Sequence, residues 1–268
     1  MKSFRIVPVS LFLMALLVAG IPAGAQTAGT TDVYQGGEVE NGGTISGKVV
    51  WKGTKPNLES FEINKNPEVC DVDGSQKRPS NRLVISDSGG VANAVVYLEE
   101  VQQGKPLPTE GAKLDQKGCQ YVPHVTIVPR RAQLTLSSGD SILHNIHMFD
   151  AASYNIPFPD MNVVVKRMRK SGVVRVQCDA GHGWMNAYVF VVDHPYYAVT
   201  GENGEYTLTD VPPGKYSVKT WHENWVVKNK IEKEGVITGY EFGEPIEQTK
   251  EIEVSSGGTA SLDFELSQ

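Results

Sequence analysis

The chain has 268 residues, of which 40% are hydrophobic and 21% charged, a balance that suits folded domains and excludes a wholly disordered chain. Its 25 basic residues are outnumbered by 31 acidic ones, and the net charge of −6 argues against nucleic acid as a partner.

The chain opens with MKSFRIVPVSLFLMALLVAGIPAGA, in which Lys2 and Arg5 precede an apolar run from Val7 to Val18 and small residues ending at Ala25. This is the three-part pattern of a secretory signal peptide, and the run is shorter than the roughly 20 residues that span a bilayer. Residues 1–25 are therefore predicted to direct secretion across the inner membrane and to be removed. The mature protein is expected in the periplasm or outside the cell, with no membrane span. Loss of Lys2 and Arg5 leaves 23 basic against 31 acidic side chains, which favours a partner with a basic or neutral surface. Residues 26–43, QTAGTTDVYQGGEVENGG, are small, polar and glycine-rich and read as a flexible leader.

Short strand signals follow, separated by Gly, Pro, Asp and Ser: TISGKVVW (44–51), RLVISD (82–87), ANAVVYLEE (92–100), HVTIVP (124–129), AQLTLSS (132–138), ILHNIHMF (142–149), MNVVVKRM (161–168), VVRVQC (173–178), NAYVFVV (186–192), EYTLT (205–209), KYSVKTW (215–221), TKEIEV (249–254) and ASLDFEL (260–266). Most alternate or are rich in Val, Ile, Thr and Tyr, and no helical period is sustained. The fold class is all-β, with sandwich or barrel layers. Residues 224–248, NWVVKNKIEKEGVITGYEFGEPIEQ, mix charge and glycine without clear period and read as a long surface excursion.

The run VTGENGEYTLTDVPPGKYSVKTWHE (199–223) carries a tight turn at Asn203-Gly204 and another at Pro212-Pro213-Gly214. It resembles the carboxypeptidase regulatory-like (transthyretin-like) domain, and GGTISGKVVWKG and GGVANAVVYLEE match that family's opening strands. The resemblance implies a discontinuous β-sandwich over 44–105 and 195–268, with the middle segment inserted.

Three cysteines in an exported chain leave one thiol over. Cys70 and Cys119 sit in turn-like sequence with no His or Met shortly downstream, and are paired here as a structural disulfide. Cys178 is then free. It lies in VQCDAGHGWMNAY with His182 and Met185, and a remote LHNIH supplies His144 or His147. A thiolate, two imidazoles and a weak thioether form the donor set of a trigonal copper site. Each of these residues alone is better read as core or loop, a free cysteine as a small buried hydrophobe. Their occurrence together, in one short loop after a strand, is what points to metal.

With these residues in view, the segment 106–194 resembles a cupredoxin (blue-copper) domain. YVPHVTIVPRRAQLTLSSGDSILHNIH is similar to that family's opening strands and CDAGHGWM to its ligand loop. The resemblance implies a Greek-key β-sandwich and selects His144, the histidine before Asn, as the distant ligand. It makes Asn145 the side chain tying the two ligand segments together. Binuclear copper would need a second cysteine at position 174, which is Val174, so a single copper ion is expected on His144, Cys178, His182 and Met185. His147 and His222 are candidates for an accessory site, and His124 and His194 for structural roles. Trp184, Tyr196 and Tyr197 are aromatic enough for a docking or electron-exit surface, but packing is the better reading. No paired carboxylates, nucleophile elbow or phosphate loop marks an enzyme. The expected function is a one-electron carrier serving a redox partner protein. The alternatives are a copper-binding or copper-delivery module without redox role, and a metal-free adhesion or carbohydrate-binding sandwich.

Overall fold

Many of the paired segments alternate or are rich in β-branched residues, and the described chain is built almost wholly of strands. A computed structural model describes Met1 and residues 33–268, and 33–268 form one compact unit. The expected signal peptide, Met1 apart, and residues 26–32 of the expected leader lie outside the described residues. Among the described residues, no helix is long and apolar enough to cross a membrane.

Two β-sandwiches are present. In the middle one, a four-stranded sheet runs in the order Val163–Arg167, Gln133–Ser138, Ala112–Gln116 and Tyr121–Val122. It faces a five-stranded sheet ordered Tyr154–Phe158, His144–Asp150, Gly172–Gln177, Asn186–Val192 and Val125–Pro129. Leu114, Leu134, Leu136, Ile146, Met148, Phe158 and Val189 fill the space between them. The outer sandwich pairs Tyr197–Val199, Val95–Leu98, Gly214–His222 and Ile246–Val254 in one sheet. In the other, Gly43–Trp51 stands beside Glu205–Val211 and also pairs with Thr259–Ser261 and Phe264–Leu266. Its core is built on Ile45, Val49, Leu98, Tyr206, Val218 and Phe264.

Strand Asn186–Val192 explains how the sandwiches meet. Alternation sends Ala187, Val189 and Val191 into the middle core, and Tyr188, Phe190 and Val192 to the other face, against Val95 and Trp221 of the outer sandwich. Both faces are buried, so the strand is an unbroken apolar run. Beside this contact the carboxylate of Glu223 is paired with Arg82 at 2.6 Å and with His124, all buried. Burial pushes the Glu223 carboxyl up, but His124 and Arg82 outweigh it and hold the group below its ordinary value.

Two expectations are corrected and a third is filled in. The part of the leader at 33–43 is held in place: Gln35–Gly36 pairs in parallel with Gln103–Gly104, and the Tyr34 hydroxyl donates to the Lys105 carbonyl at 2.5 Å. Backbone pairing and one aromatic anchor offset the entropy of its glycines. RLVISD forms only an isolated bridge, Ile85 to Val91, and Arg82 at its start turns inward to the ion pair. The excursion at 224–248 contains a β-hairpin, Val227–Lys233 with Val236–Phe242, whose exposed faces hide its period from the sequence.

Candidate metal centre

His147 and Gln177 are opposite each other on antiparallel strands, so three residues further His144 and Ala180 reach the same end of the sheet. Gln177 in turn faces Asn186 across the next pairing, which makes 178–185 a loop joining neighbouring strands. The loop closes on itself: the Cys178 N–H donates to the Met185 carbonyl at 3.3 Å and the Met185 N–H to the His182 carbonyl at 2.9 Å. Gly181 takes a φ of 95°, where a side chain would be strained.

This geometry brings the Cys178 sulfur, His144 and His182 together with one ligand atom of each within 4.8 Å of the others. The His144 and His182 Nδ1 atoms are 3.2 Å apart, and Cys178 Sγ is 3.6 Å from His182 Nδ1. Both imidazoles are wholly buried and Cys178 is 3% exposed. On their outward sides, His144 Nε2–H donates to the Asp140 carboxylate at 2.9 Å and His182 Nε2–H to Asn66 Oδ1 at 3.2 Å. Neutral imidazole has one donor and one acceptor nitrogen, so each inward Nδ1 carries a lone pair.

Two lone pairs at this separation repel unless a cation lies between them. A proton is disfavoured. Burial lowers the pKa of both rings, and burial together with the charges of His144 and Lys65 brings His182 down to about 4. Burial also raises the Cys178 thiol, against the backbone N–H groups of Asn145, Ala180 and His182. A thiol and two imidazole nitrogens thus converge, the single Cys178 S–H can satisfy at most one of the nitrogens, and the residues fit a soft or borderline metal ion. A second convergent group, Cys119, Asp140 and His144, is not a site of this kind, because the Cys119 sulfur is spent in a disulfide with Cys70.

The remaining sequence candidates are placed as follows. Met185 is buried beside Cys178 in the middle core. The Asn145 N–H donates to Cys178 Sγ at 3.4 Å, while its side-chain oxygen accepts the Asp179 N–H, so it links the His144 strand to the ligand loop. His147 points to the surface and pairs with Asp179 at 2.5 Å. His222 is buried elsewhere, with Nδ1 2.7 Å from the Glu223 carbonyl and Nε2 unpartnered. His147 and His222 belong to neither convergent group. Trp184 and Tyr196 are core residues, and Tyr197 stacks on Tyr97 at 4.7 Å.

Comparison with known proteins gives partial likenesses. A family model described as BOS complex subunit NOMO1-like, second beta sandwich domain, matches residues 194–240. Among solved structures, the chain is similar to a purple cupredoxin from Nitrosopumilus maritimus, with 21% identity over 30% of this chain and 99% of that one, at a TM-score of 0.27. A Sinorhizobium pseudoazurin shares 17% identity over 31% of this chain and 74% of its own, at 0.26. A copper-containing nitrite reductase from Thermus scotoductus shares 16% over 34% of this chain and 24% of its own, at 0.28. No curated protein matches the chain.

Sequence reasoning missed what surrounds the ligands. Asp140 lies in a turn, and Asn66 comes from 116 residues before His182, so neither carries a periodic signal. The hairpin at 227–242 also reaches the ligand loop: a Cβ on Gly183 would meet the Thr238 carbonyl carbon at 2.5 Å. Hairpin and the 61–66 segment are joined by Asn64 Nδ2–H to the Ile237 carbonyl at 2.7 Å and by Phe61 against Tyr240 at 4.7 Å. Together they roof the loop.

Proposed function

We propose that the chain is an exported mononuclear copper protein that carries one electron at a time, and that it is not an enzyme. The observation that supports this most is the pair of inward Nδ1 atoms, 3.2 Å apart and converging with a free buried thiol. Thiolate and thioether suit Cu(I) and imidazole suits Cu(II). Copper bound by His144, Cys178 and His182, with Met185 as the weak fourth donor, would alternate between these states. The chain's own part is to keep the donors still. Asp140, Asn66 and the Asn145 N–H each hold one donor.

Donor burial favours a carrier over copper delivery. No proposed donor is more than 3% exposed, whereas a delivery site must hand its ion to another protein's ligands. The acidic balance of the chain suits a redox partner with a basic or neutral docking surface. Titration of the metal-free mature protein with copper is expected to saturate at one ion per chain. The loaded protein should then survive repeated oxidation and reduction in the presence of a mild chelator. Loss of the ion at each cycle would move the reading to copper delivery, and failure to bind copper would remove the metal from the account.

A further inference from the structure

All the proposed donors lie in the middle sandwich, yet one of the two outward imidazole partners does not. Asn66 belongs to the connection that leaves the outer sandwich after strand Gly43–Trp51. Its amide orientation is fixed independently of His182, because its Nδ2–H donates to Glu68 at 3.0 Å and leaves Oδ1 as the atom facing the ring. Its backbone is fixed too: at φ 48° and ψ 51° it caps the single turn Pro67–Cys70, its carbonyl accepting the Val69 and Cys70 N–H groups. That turn ends in the disulfide to Cys119.

On the far side of the disulfide stands the other partner. Asp140 accepts the backbone N–H of Gly118 at 2.7 Å and of Cys119 at 2.8 Å, together with His144 Nε2–H. Arg78 clasps the same junction, donating to the Cys70 and Gly118 carbonyls at 2.9 Å each. The Cys119 carbonyl in turn accepts Trp184 Nε1–H from within the ligand loop at 3.1 Å.

We propose that Asn66 and Asp140, carried on the two sides of the Cys70–Cys119 disulfide, are the positioning residues of the metal centre. Each holds the outward N–H of one imidazole so that both Nδ1 atoms stay turned toward Cys178. The connection from the outer sandwich thereby completes a site whose donors all lie in the middle one. The proposal rests on the copper reading for its purpose and on the hydrogen-bond geometry for its content.

The variants are Asn66→Gly, which tolerates the left-handed backbone while removing the acceptor, Asp140→Asn, and Asn66→Asp, which restores an acceptor at the same place. In the metal-free full-length mature protein, nitrogen NMR of the imidazoles is expected to show His144 and His182 each protonated at Nε2. Asn66→Gly should turn His182 into a mixture of tautomers and leave His144 unchanged. In the copper-loaded protein, Asn66→Gly and Asp140→Asn are each expected to weaken retention by about 10- to 100-fold and to shift the thiolate-to-metal absorption, and Asn66→Asp to recover most of both. Single Nε2 tautomers that survive Asn66→Gly, or wild-type retention and spectrum in both removal variants, would overturn the proposal. A wild type without thiolate-to-metal absorption would overturn the functional reading alone, and the tautomers of the metal-free protein would still decide the brace.

Discussion

At the scale of single residues, burial governs which side chains can hold a charge. His194 lies under Tyr34 and Tyr197, with its Nδ1 accepting the Tyr196 N–H at 3.3 Å. Burial, opposed by Asp193, lowers its pKa to about 4. Between pH 6.5 and 4 the unfolded chain takes up a proton that the folded ring refuses. The associated stability is complete above about pH 6.5 and is lost as the pH falls toward 4, by an amount on the order of 3 kcal/mol. Denaturant unfolding at pH 7 and pH 4.5 checks this: His194→Gln should reduce the difference while the other buried imidazoles, His182 among them, keep part of it, and an unchanged pH slope would refute it. Residue by residue, the sequence was informative where chemistry is local. Cys178, His182 and Met185 stand out because they crowd one loop. Asp140 and Asn66 do not, because what they do depends on contacts made through the folded chain.

Elements were legible to the extent that one face was buried. NAYVFVV reads plainly as a strand, although the burial of both its faces follows only from the sheet packed against Tyr188 and Phe190. Tyr154–Phe158 carries a weak strand signal, since Pro157 has no N–H to give a ladder, and the strand lies at the sheet edge. The hairpin at 227–242 was missed because its first strand is almost wholly exposed. Its contact with the ligand loop carries a prediction. Gly183→Ala places a methyl group where the Thr238 carbonyl already lies at 2.5 Å, so the hairpin must lift from the loop. Thermal unfolding should show a loss of about 1–3 kcal/mol, and a chelator should strip metal faster than from the wild type. Unaltered stability and retention would mean that the roof is not in contact in solution.

For the whole molecule, an all-β chain in sandwich layers could be read from short alternating runs and turn residues. How the sandwiches meet could not, since Arg82, His124 and Glu223 are scattered over 142 positions and gain meaning only once they converge. Glu223→Gln should cost about 3–5 kcal/mol, because it leaves the buried Arg82 charge without its anion. Calorimetry is expected to show one unfolding transition for the wild type and two for this variant, whereas one undiminished transition in the variant would show that the apolar contact at Trp221 holds the sandwiches without the ion pair. The claim on which the rest turns is that one sulfur and two inward-facing imidazoles share a single copper ion. The most direct measurement is the optical and electron-spin-resonance spectrum of the copper-loaded mature protein beside that of Cys178→Ser. An intense visible thiolate-to-copper band, present in the wild type and absent from the variant, is the predicted result. A wild type that holds copper and is colourless would contradict it.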